Sequence, residues 1–322
     1  MEKNTNELNA DILKGHKKFS RKTKGELVFC LLMLLVPMVQ FIVFWGYVNF
    51  DSIMMGFKDA TENFSLVNFE RFINEVKKGT LQIAFKNSLI NLAVAEFITL
   101  PLVVIFSYLL YKRCYGASIF RIVFFLPSLI SAVVMANLFI NMVTPVSDNN
   151  LGPIVIILEK MGVNFSREVL RRGLLSHKDT AFGMIMVYCV WTGMGTNLIL
   201  LAGALARSPQ DLFEAANIDG AGMFTEFAHV VVPLIWPTIT TLFIFNLAGC
   251  FTMYMPVMLL TNGDYETMTI GYYITASVMN SGGDLSTLGY PAMVGIVFTV
   301  ITVPIILVVK WAFNKISEAV EF

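Results

Sequence analysis

The chain has 322 residues, of which 56% are hydrophobic and 14% are charged, and its mean hydropathy is +0.68. Soluble domains carry about 25% charged residues, so this composition excludes an ordinary soluble domain and predicts an all-α polytopic membrane protein. The formal net charge is zero, so no bulk positive field predicts nucleic acid as a partner.

Six apolar runs are long enough to cross a bilayer as helices. A hydrocarbon core about 30 Å thick needs roughly 20 apolar residues in a helix. The runs are residues 27–50, 87–111, 122–143, 181–206, 230–261 and 285–309. Because Pro233 and Pro237 lie near the start of the fifth run, we expect that span to begin around Thr238.

The basic residues before the first run predict the orientation. Six Lys or Arg residues lie between Lys14 and Lys24, which favours a cytoplasmic N-terminus, and no cleaved signal peptide is indicated. Six spans then place the C-terminus in the cytoplasm as well. The predicted organisation is a cytoplasmic segment 1–26, a transmembrane domain 27–313 and a cytoplasmic tail 314–322.

Two long loops, residues 51–86 and 144–180, are predicted on the outer side of the membrane. The second loop carries a basic run. This run, at Arg167, Arg171 and Arg172, has two interpretations: a solvated helical face, or a contact with an outer partner.

The loop between the fourth and fifth runs, residues 207–229, is acidic although this topology places it in the cytoplasm. Four acidic residues oppose Arg207, which gives the loop a net charge of −3. Ser208 is a suitable N-cap, Pro209 suits the first helical position and Gly220 is a natural stop, so we predict a short helix between them. Interfacial helices usually carry Lys or Arg, so docking into a groove of another protein is favoured over lying on lipid headgroups.

The predicted loop helix combines an apolar side with carboxylates elsewhere on its surface. The apolar residues recur at helical spacing: Leu212, Ala215, Ala216 and Ile218. Successive alanines let another surface approach closely, and a nearby carboxylate supplies a charged hydrogen-bond acceptor.

Residues 214–221 of this loop read Glu-Ala-Ala-Asn-Ile-Asp-Gly-Ala, and Val232-Pro233-Leu234 follows. This pattern resembles the signature loop of binding-protein-dependent ABC importer permeases. Other elements resemble the family in the expected order: Leu66-Val67-Asn68-Phe69, Lys86-Asn87-Ser88, Phe120-Arg121, Phe124-Phe125-Leu126-Pro127, Trp191 and Leu201-Ala202-Gly203-Ala204-Leu205. The carbohydrate importers of the maltose or multiple-sugar type are the subgroup that it resembles. Residues 261–265, Thr-Asn-Gly-Asp-Tyr, depart from the T-x-G-G-P pattern that is frequent there, which leaves the sugar itself open.

The resemblance implies the ABC importer type I permease fold, with residues 209–219 as a coupling helix seated in a cleft of a separate ATPase. Glu214 would be its polar anchor, Ala215 and Ala216 would permit close approach, and Gly220 would form the turn. The implied coupling residues are Asp211, Leu212, Glu214, Ala215, Ala216, Asp219 and Gly220.

The partners that the resemblance implies are a second homologous permease, two ABC ATPase subunits and an extracytoplasmic substrate-binding protein, within membrane lipid. ATP and Mg²⁺ would bind the ATPase subunits, since this chain has no G-x-x-x-x-G-K-[ST] run. We predict no catalytic residue, cofactor site or metal site in this chain.

Polar side chains within the predicted spans are candidates for a substrate path, because such groups are costly in lipid and often functional. The principal candidates are Asn137, Tyr188, Trp191, Asn246 and Tyr254, and a wider set adds Asn141 and Asn197. Amides bind sugar hydroxyls and aromatic rings stack on sugar faces, so these residue types suit a carbohydrate. The alternative is ordinary interhelical hydrogen bonding, worth about 0.6 kcal/mol per contact.

Glu96 is the only charged residue within the predicted spans. It has a structural interpretation, as a cavity residue or a partner of a second subunit, and a rival one, as the proton-binding group of a secondary transporter. A secondary transporter should show internal repeats, and a membrane-embedded enzyme should show a catalytic polar cluster. Neither rival accounts for the acidic loop.

Overall fold

A computed structural model describes residues 22–59, 63–145, 152–163, 165–282, 284 and 287–318. Most of the predicted segment 1–26 and the last residues of the predicted tail 314–322 lie outside this part of the chain. Within it the secondary structure is helical, and the only β contact is a bridge between Lys58 and Phe64.

Five helices are long and apolar enough to cross a membrane, and a bent pair of helices makes a sixth when the pair is counted as one span. We number them in chain order: span 1, Gly25–Gly56; span 2, Thr80–Tyr111; span 3, Ala117–Leu129 with Ala132–Val143; span 4, Ala181–Ala206; span 5, Met223–Gly249; and span 6, Gly289–Lys315. The prediction of an all-α polytopic chain is confirmed, and its six predicted spans correspond to these five helices and the bent pair.

Shorter helices lie between the spans. They are Val67–Lys78, Pro153–Lys160, Arg167–Arg172, Gln210–Ile218, Met255–Leu260 and Ile270–Asn280, with a 3-10 turn at Leu174–Ser176. Gln210–Ile218 is called the loop helix below. Both predicted outer loops therefore contain helices in their described parts.

Span 1 belongs to a separate unit that ends at Met55. None of residues 25–55 is buried. The rings of Phe41 and Trp45 stack with their centroids 4.9 Å apart, and the Asn49 amide donates to the Trp45 carbonyl at 2.6 Å. The helix therefore satisfies its own polar groups, as a helix surrounded by lipid must.

Span 5 begins earlier than the sequence predicted. The helix starts at Met223 and passes through Pro233 and Pro237, whereas the prediction placed its start near Thr238. A π-helical turn, Phe227–Val231, lies directly before Pro233. A π-helical turn changes the spacing of the helical hydrogen bonds and so accommodates the N–H groups that the prolines lack. The helix therefore continues past both prolines.

Span 5 also ends earlier than predicted, at Gly249, and the irregular segment that follows is held by two side chains of span 2. The Asn87 amide donates to the carbonyls of Glu266 at 2.7 Å and Met268 at 2.9 Å. The Ser88 hydroxyl accepts a hydrogen bond from the Ile270 amide at 3.0 Å. Asn87 and Ser88 are buried, so these two side chains supply hydrogen bonds to the irregular segment from within the bundle.

Span 3 is bent, although the sequence predicted one helix over residues 122–143. Its two halves meet at 115°. Ile130 and Ser131 between them have extended backbone, with ψ of 146° and 136°. Pro127 lies inside the first half and has no N–H group, so it removes one helical hydrogen bond just before the break.

Spans 3 and 4 lie in close contact at Gly195. A Cβ atom at this position would lie 2.9 Å from the carbonyl oxygen of Phe124 and 3.0 Å from the Ser128 hydroxyl. Small residues let membrane helices bring their backbones together, and Gly195 serves that purpose here.

The buried apolar side chains of the described chain form three clusters. One surrounds Phe139 and Tyr188. The second joins spans 2, 4 and 5 and includes Phe213 of the loop helix. The third lies between spans 2 and 6 and includes Phe298. The second cluster therefore connects the loop helix to the spans.

We expect Gly195→Ala to destabilise the protein by about 1–3 kcal/mol, because the added methyl group would force the backbones of spans 3 and 4 apart. The measurement is thermal unfolding of the purified chain in a mild detergent. Gly183→Ala in the same helix is the matched control, since no atom lies within 4 Å of a Cβ there. Equal melting temperatures for the two variants would contradict the close contact.

Candidate functional site

The loop helix begins without the predicted cap. The hydroxyl of Ser208 donates to the Ala204 carbonyl of span 4 at 3.2 Å, so the N-cap position falls to Pro209, which has no side-chain cap. The prediction of Ser208 as N-cap is therefore wrong, because this serine completes the preceding helix. The predicted stop is confirmed: Gly220 has φ +76°, and the Ala221 amide bonds the Ala216 carbonyl at 2.9 Å.

The loop helix has one inner face and one exposed face. Phe213 and Ala216 are buried, and Ile218 is 86% exposed. The predicted coupling residues other than Ala216 are also exposed: Asp211, Leu212, Glu214, Ala215, Asp219 and Gly220. The exposed surface thus combines two large apolar side chains with carboxylates, and Ala216 contributes to the packing beneath it.

A buried ion pair lies beside the loop helix and joins spans 2 and 5. The ammonium group of Lys112 is 2.7 Å and 2.8 Å from the two carboxylate oxygens of Glu226, and the Glu226 side chain is 2% exposed. The Tyr108 hydroxyl also donates to the Met223 carbonyl at 3.2 Å. In the sequence, Glu226 is one of four acids in the loop, and the basic pair Lys112-Arg113 at the end of span 2 was the signal for its partner.

Aromatic packing connects the loop helix to the same place. The rings of Phe213 and Tyr111 lie 5.2 Å apart, and the Lys112 ammonium group is 6.0 Å from the Phe213 ring centroid. The loop helix is therefore fixed to the end of span 2 directly and to the start of span 5 through the ion pair. A displacement of the loop helix would be carried to both spans.

We expect Lys112→Met to lower the free energy of unfolding by about 2 kcal/mol, because it leaves the buried Glu226 carboxylate without a counter-charge. The double variant Lys112→Met/Glu226→Gln should recover most of this loss, since no unpaired charge remains. Thermal unfolding and limited proteolysis of residues 207–229 measure both effects. A double variant as unstable as the single one would argue against an ion-pair role.

A polar cavity lies at the level where spans 2, 4 and 5 meet the short helix Met255–Leu260. Its volume is about 220 Å³. The polar side chains that line it are Asn91, Thr99, Thr192, Asn197 and Asn246. The Asn197 amide and both hydroxyls also donate to carbonyls of their own helices. The remaining amide groups and the hydroxyl oxygens can donate to and accept from a solute, which is the chemistry that binds a hydroxyl-rich molecule.

Glu96 is buried beside this cavity. It lies on the π-helical turn Ala95–Thr99, both ends of which line the cavity, and its side chain is 5% exposed. Neither carboxylate oxygen has a hydrogen-bond partner within the described residues, although the Asn246 side chain is a neighbour. The π-turn places Glu96 next to the cavity wall without adding it to the lining.

The predicted substrate-path residues fall in different places. Asn246 lines the cavity. The amide of Asn137 donates to the Val133 carbonyl of its own helix at 2.9 Å, and its side chain is exposed. Tyr188 is buried with its ring 5.3 Å from that of Phe139. Trp191 and Tyr254 pack against the cluster around those two rings.

The structure adds polar lining residues that the sequence analysis did not select. They are Asn91, Thr99 and Thr192. Asn91 and Thr99 lie eight residues apart on span 2 and share one face with Ala95, so two polar residues at helical spacing were the available signal.

Comparison with known proteins assigns the chain to a family of transport components. A family model described as "Binding-protein-dependent transport system inner membrane component" matches residues 101–321, which include the loop helix and spans 3 to 6. The chain is 23% identical over 301 residues to the diacetylchitobiose uptake system permease protein of Streptomyces coelicolor, covering 89% of this chain and 83% of that protein.

Two further similarities extend this result. The chain is 26% identical over 200 residues to the arabinooligosaccharides transport system permease protein of Bacillus subtilis, covering 62% of this chain and 59% of that protein. Its fold matches a chain of the bacterial alginate ABC transporter solved in complex with an alginate pentasaccharide-bound periplasmic protein. That match has a TM-score of 0.75 at 20% identity and covers 92% of this chain and 97% of the other.

Proposed function

Because this chain belongs to the family of binding-protein-dependent transport system inner membrane components, we propose that it is the multi-pass permease subunit of an ATP-driven sugar importer. The observation that carries this proposal is the exposed acidic loop helix, which lies within the part of the chain that the family model matches. The named sugar permeases among the relatives support a carbohydrate as the solute.

In the proposed mechanism, the loop helix is the coupling helix of the importer. It docks into a cleft of a separate ATPase through Leu212, Glu214 and Ala215, which are exposed. The ATPase subunits hold ATP and Mg²⁺, and this chain has no ATPase site of its own. When the ATPase pair closes, the displaced loop helix moves spans 2 and 5 through Phe213 and the Lys112–Glu226 ion pair.

The complete importer in this proposal also contains a second homologous permease and an extracytoplasmic binding protein. A periplasmic protein bound to an oligosaccharide accompanies the alginate transporter whose fold this chain shares, which supports the binding-protein partner. In this proposal the bent pair of span 3 is one crossing, so six crossings separate the chain termini, and the termini and the loop helix face the cytoplasm.

The substrate path is proposed to run through the polar cavity between spans 2, 4 and 5. Asn246, Asn91 and Asn197 offer amide donors and acceptors to sugar hydroxyls there. Since the cavity is lined by the same spans that the loop helix contacts, movement at the loop would open or close it. No observation supports the proton-coupled alternative centred on Glu96.

We expect Glu214→Arg to reduce ATP-driven uptake at least tenfold, because it reverses the charge of the proposed polar anchor on an exposed helix. The readouts are uptake by intact cells and co-purification of the ATPase subunits. Glu70→Arg is the matched control, since Glu70 is an exposed acid on a helix before span 2. The coupling proposal fails if uptake by Glu214→Arg equals that of the control.

We expect Asn246→Ala to reduce sugar uptake about fivefold, the effect of losing one hydrogen bond of about 1 kcal/mol to the solute. The ATPase activity of the purified complex should persist, because the loop helix is unchanged. Asn49→Ala serves as the control, since the Asn49 amide bonds only within its own helix. Unchanged uptake by Asn246→Ala would remove the cavity from the substrate path.

A further inference from the structure

A second cavity opens at the end of the bundle that carries the loop helix. It has a volume of about 530 Å³ and lies between the ends of spans 2 and 4 and the start of span 3. Its walls are mainly apolar and include Leu110, Phe125, Leu198, Ile199 and Ala202. Phe125, Ile199 and Ala202 lie on parts of the helices that are long and apolar enough for the membrane. This cavity, called the basal groove below, is therefore a lipid-accessible groove of the bundle.

Two arginines line the basal groove at its polar end. Arg113 follows span 2, and Arg121 lies near the start of span 3. Both side chains are exposed, and neither makes an ion pair within the described residues. Arg113 has φ +52°, a conformation that residues other than glycine rarely adopt, so the turn between the two spans fixes its position. Two uncompensated guanidinium groups thus flank an apolar groove where helices leave the membrane.

We propose that the basal groove binds an anionic phospholipid, with its phosphate on Arg113 and Arg121 and an acyl chain along the apolar wall. Guanidinium groups bind phosphate through paired hydrogen bonds. Basic pockets between transmembrane helices on the cytoplasmic side bind anionic lipid headgroups. The site rests on the proposed function only for its assignment to the cytoplasmic leaflet.

The chemistry of the groove favours this occupant over a protein. A transmembrane helix of a second permease would cover the apolar wall and leave both arginines without a counter-charge. A soluble ATPase would leave the apolar wall of Phe125, Ile199 and Ala202 unfilled. A phospholipid supplies both the anionic group and the apolar chain in one molecule.

The test measures lipid binding to the full chain purified in a mild detergent, by native mass spectrometry. The two probes are phosphatidylglycerol and phosphatidylcholine with identical acyl chains. Wild type should bind phosphatidylglycerol at least tenfold more tightly than phosphatidylcholine. The double variant Arg113→Gln/Arg121→Gln should lose this preference. Lys310→Gln, which removes an exposed cation from span 6, should keep it.

A second variant tests the apolar part of the groove without changing its charge. Gly203 lines the groove, and no atom lies within 4 Å of a Cβ at that position. Gly203→Leu should therefore fill the groove and reduce binding of both lipids at least fivefold. Thermal unfolding should show that this variant folds as the wild type does.

Three results would overturn the proposal. Wild type could bind the two lipids equally, the double arginine variant could keep its preference, or Ala202→Cys could form a disulfide efficiently with a cysteine of a co-expressed second permease. ATP-driven uptake is measured separately. Lipid preference without uptake would contradict only the proposed function, and uptake without lipid preference would contradict only the lipid site.

Discussion

The polar groups of the backbone set the main constraint on this chain, because hydrocarbon offers them no hydrogen bond. Long helices bond these groups within each segment. Where a segment is irregular or contains a proline, nearby residues compensate for the helical hydrogen bonds that are missing. Asn87 and Ser88 supply hydrogen bonds to the irregular segment after span 5. A π-helical turn precedes Pro233 and lets the helix continue through a residue that lacks a donor. At these two departures from regular helix, side chains of a neighbouring span bond the backbone in one case and a π-helical turn accommodates the proline in the other.

The loop helix and the polar cavity share the same two spans, which gives a direct physical route between them. At one end, Phe213 packs on Tyr111 and Lys112 pairs with Glu226. At the other end, residues of spans 2 and 5, Asn246 among them, line the cavity. Each span also carries a π-helical turn. That of span 5, Phe227–Val231, lies between the ion pair and the cavity, and that of span 2, Ala95–Thr99, forms part of the cavity wall. Such turns are frequent at functional sites.

The sequence predicted the elements that depend on composition and local pattern. Its predictions were wrong or incomplete where contacts between distant parts of the chain determine the structure. Span 4 was predicted with its observed bounds, and Gly220 ends the loop helix as expected. Ser208 was wrong as a cap, because its hydroxyl bonds the preceding helix instead. The bend in span 3 and the lining of the cavity depend on side chains from other spans, which hydropathy does not report. Of the five predicted path residues, Asn246 alone lines the cavity, since depth in the membrane does not tell which way a side chain points.

The bend in span 3 has a consequence for how the protein is made. Its halves contain 13 and 12 residues, and at 1.5 Å per residue each is about 20 Å long, too short to cross a bilayer core of about 30 Å alone. The extended residues at the break expose backbone groups that lipid cannot satisfy. In the folded chain, the Tyr188 hydroxyl of span 4 bonds the Ala132 carbonyl next to the break. Because span 4 follows span 3 in the chain, span 3 is synthesised before the hydrogen bond from Tyr188 can reach the break. Any bent form of span 3 that precedes span 4 therefore lacks this hydrogen bond.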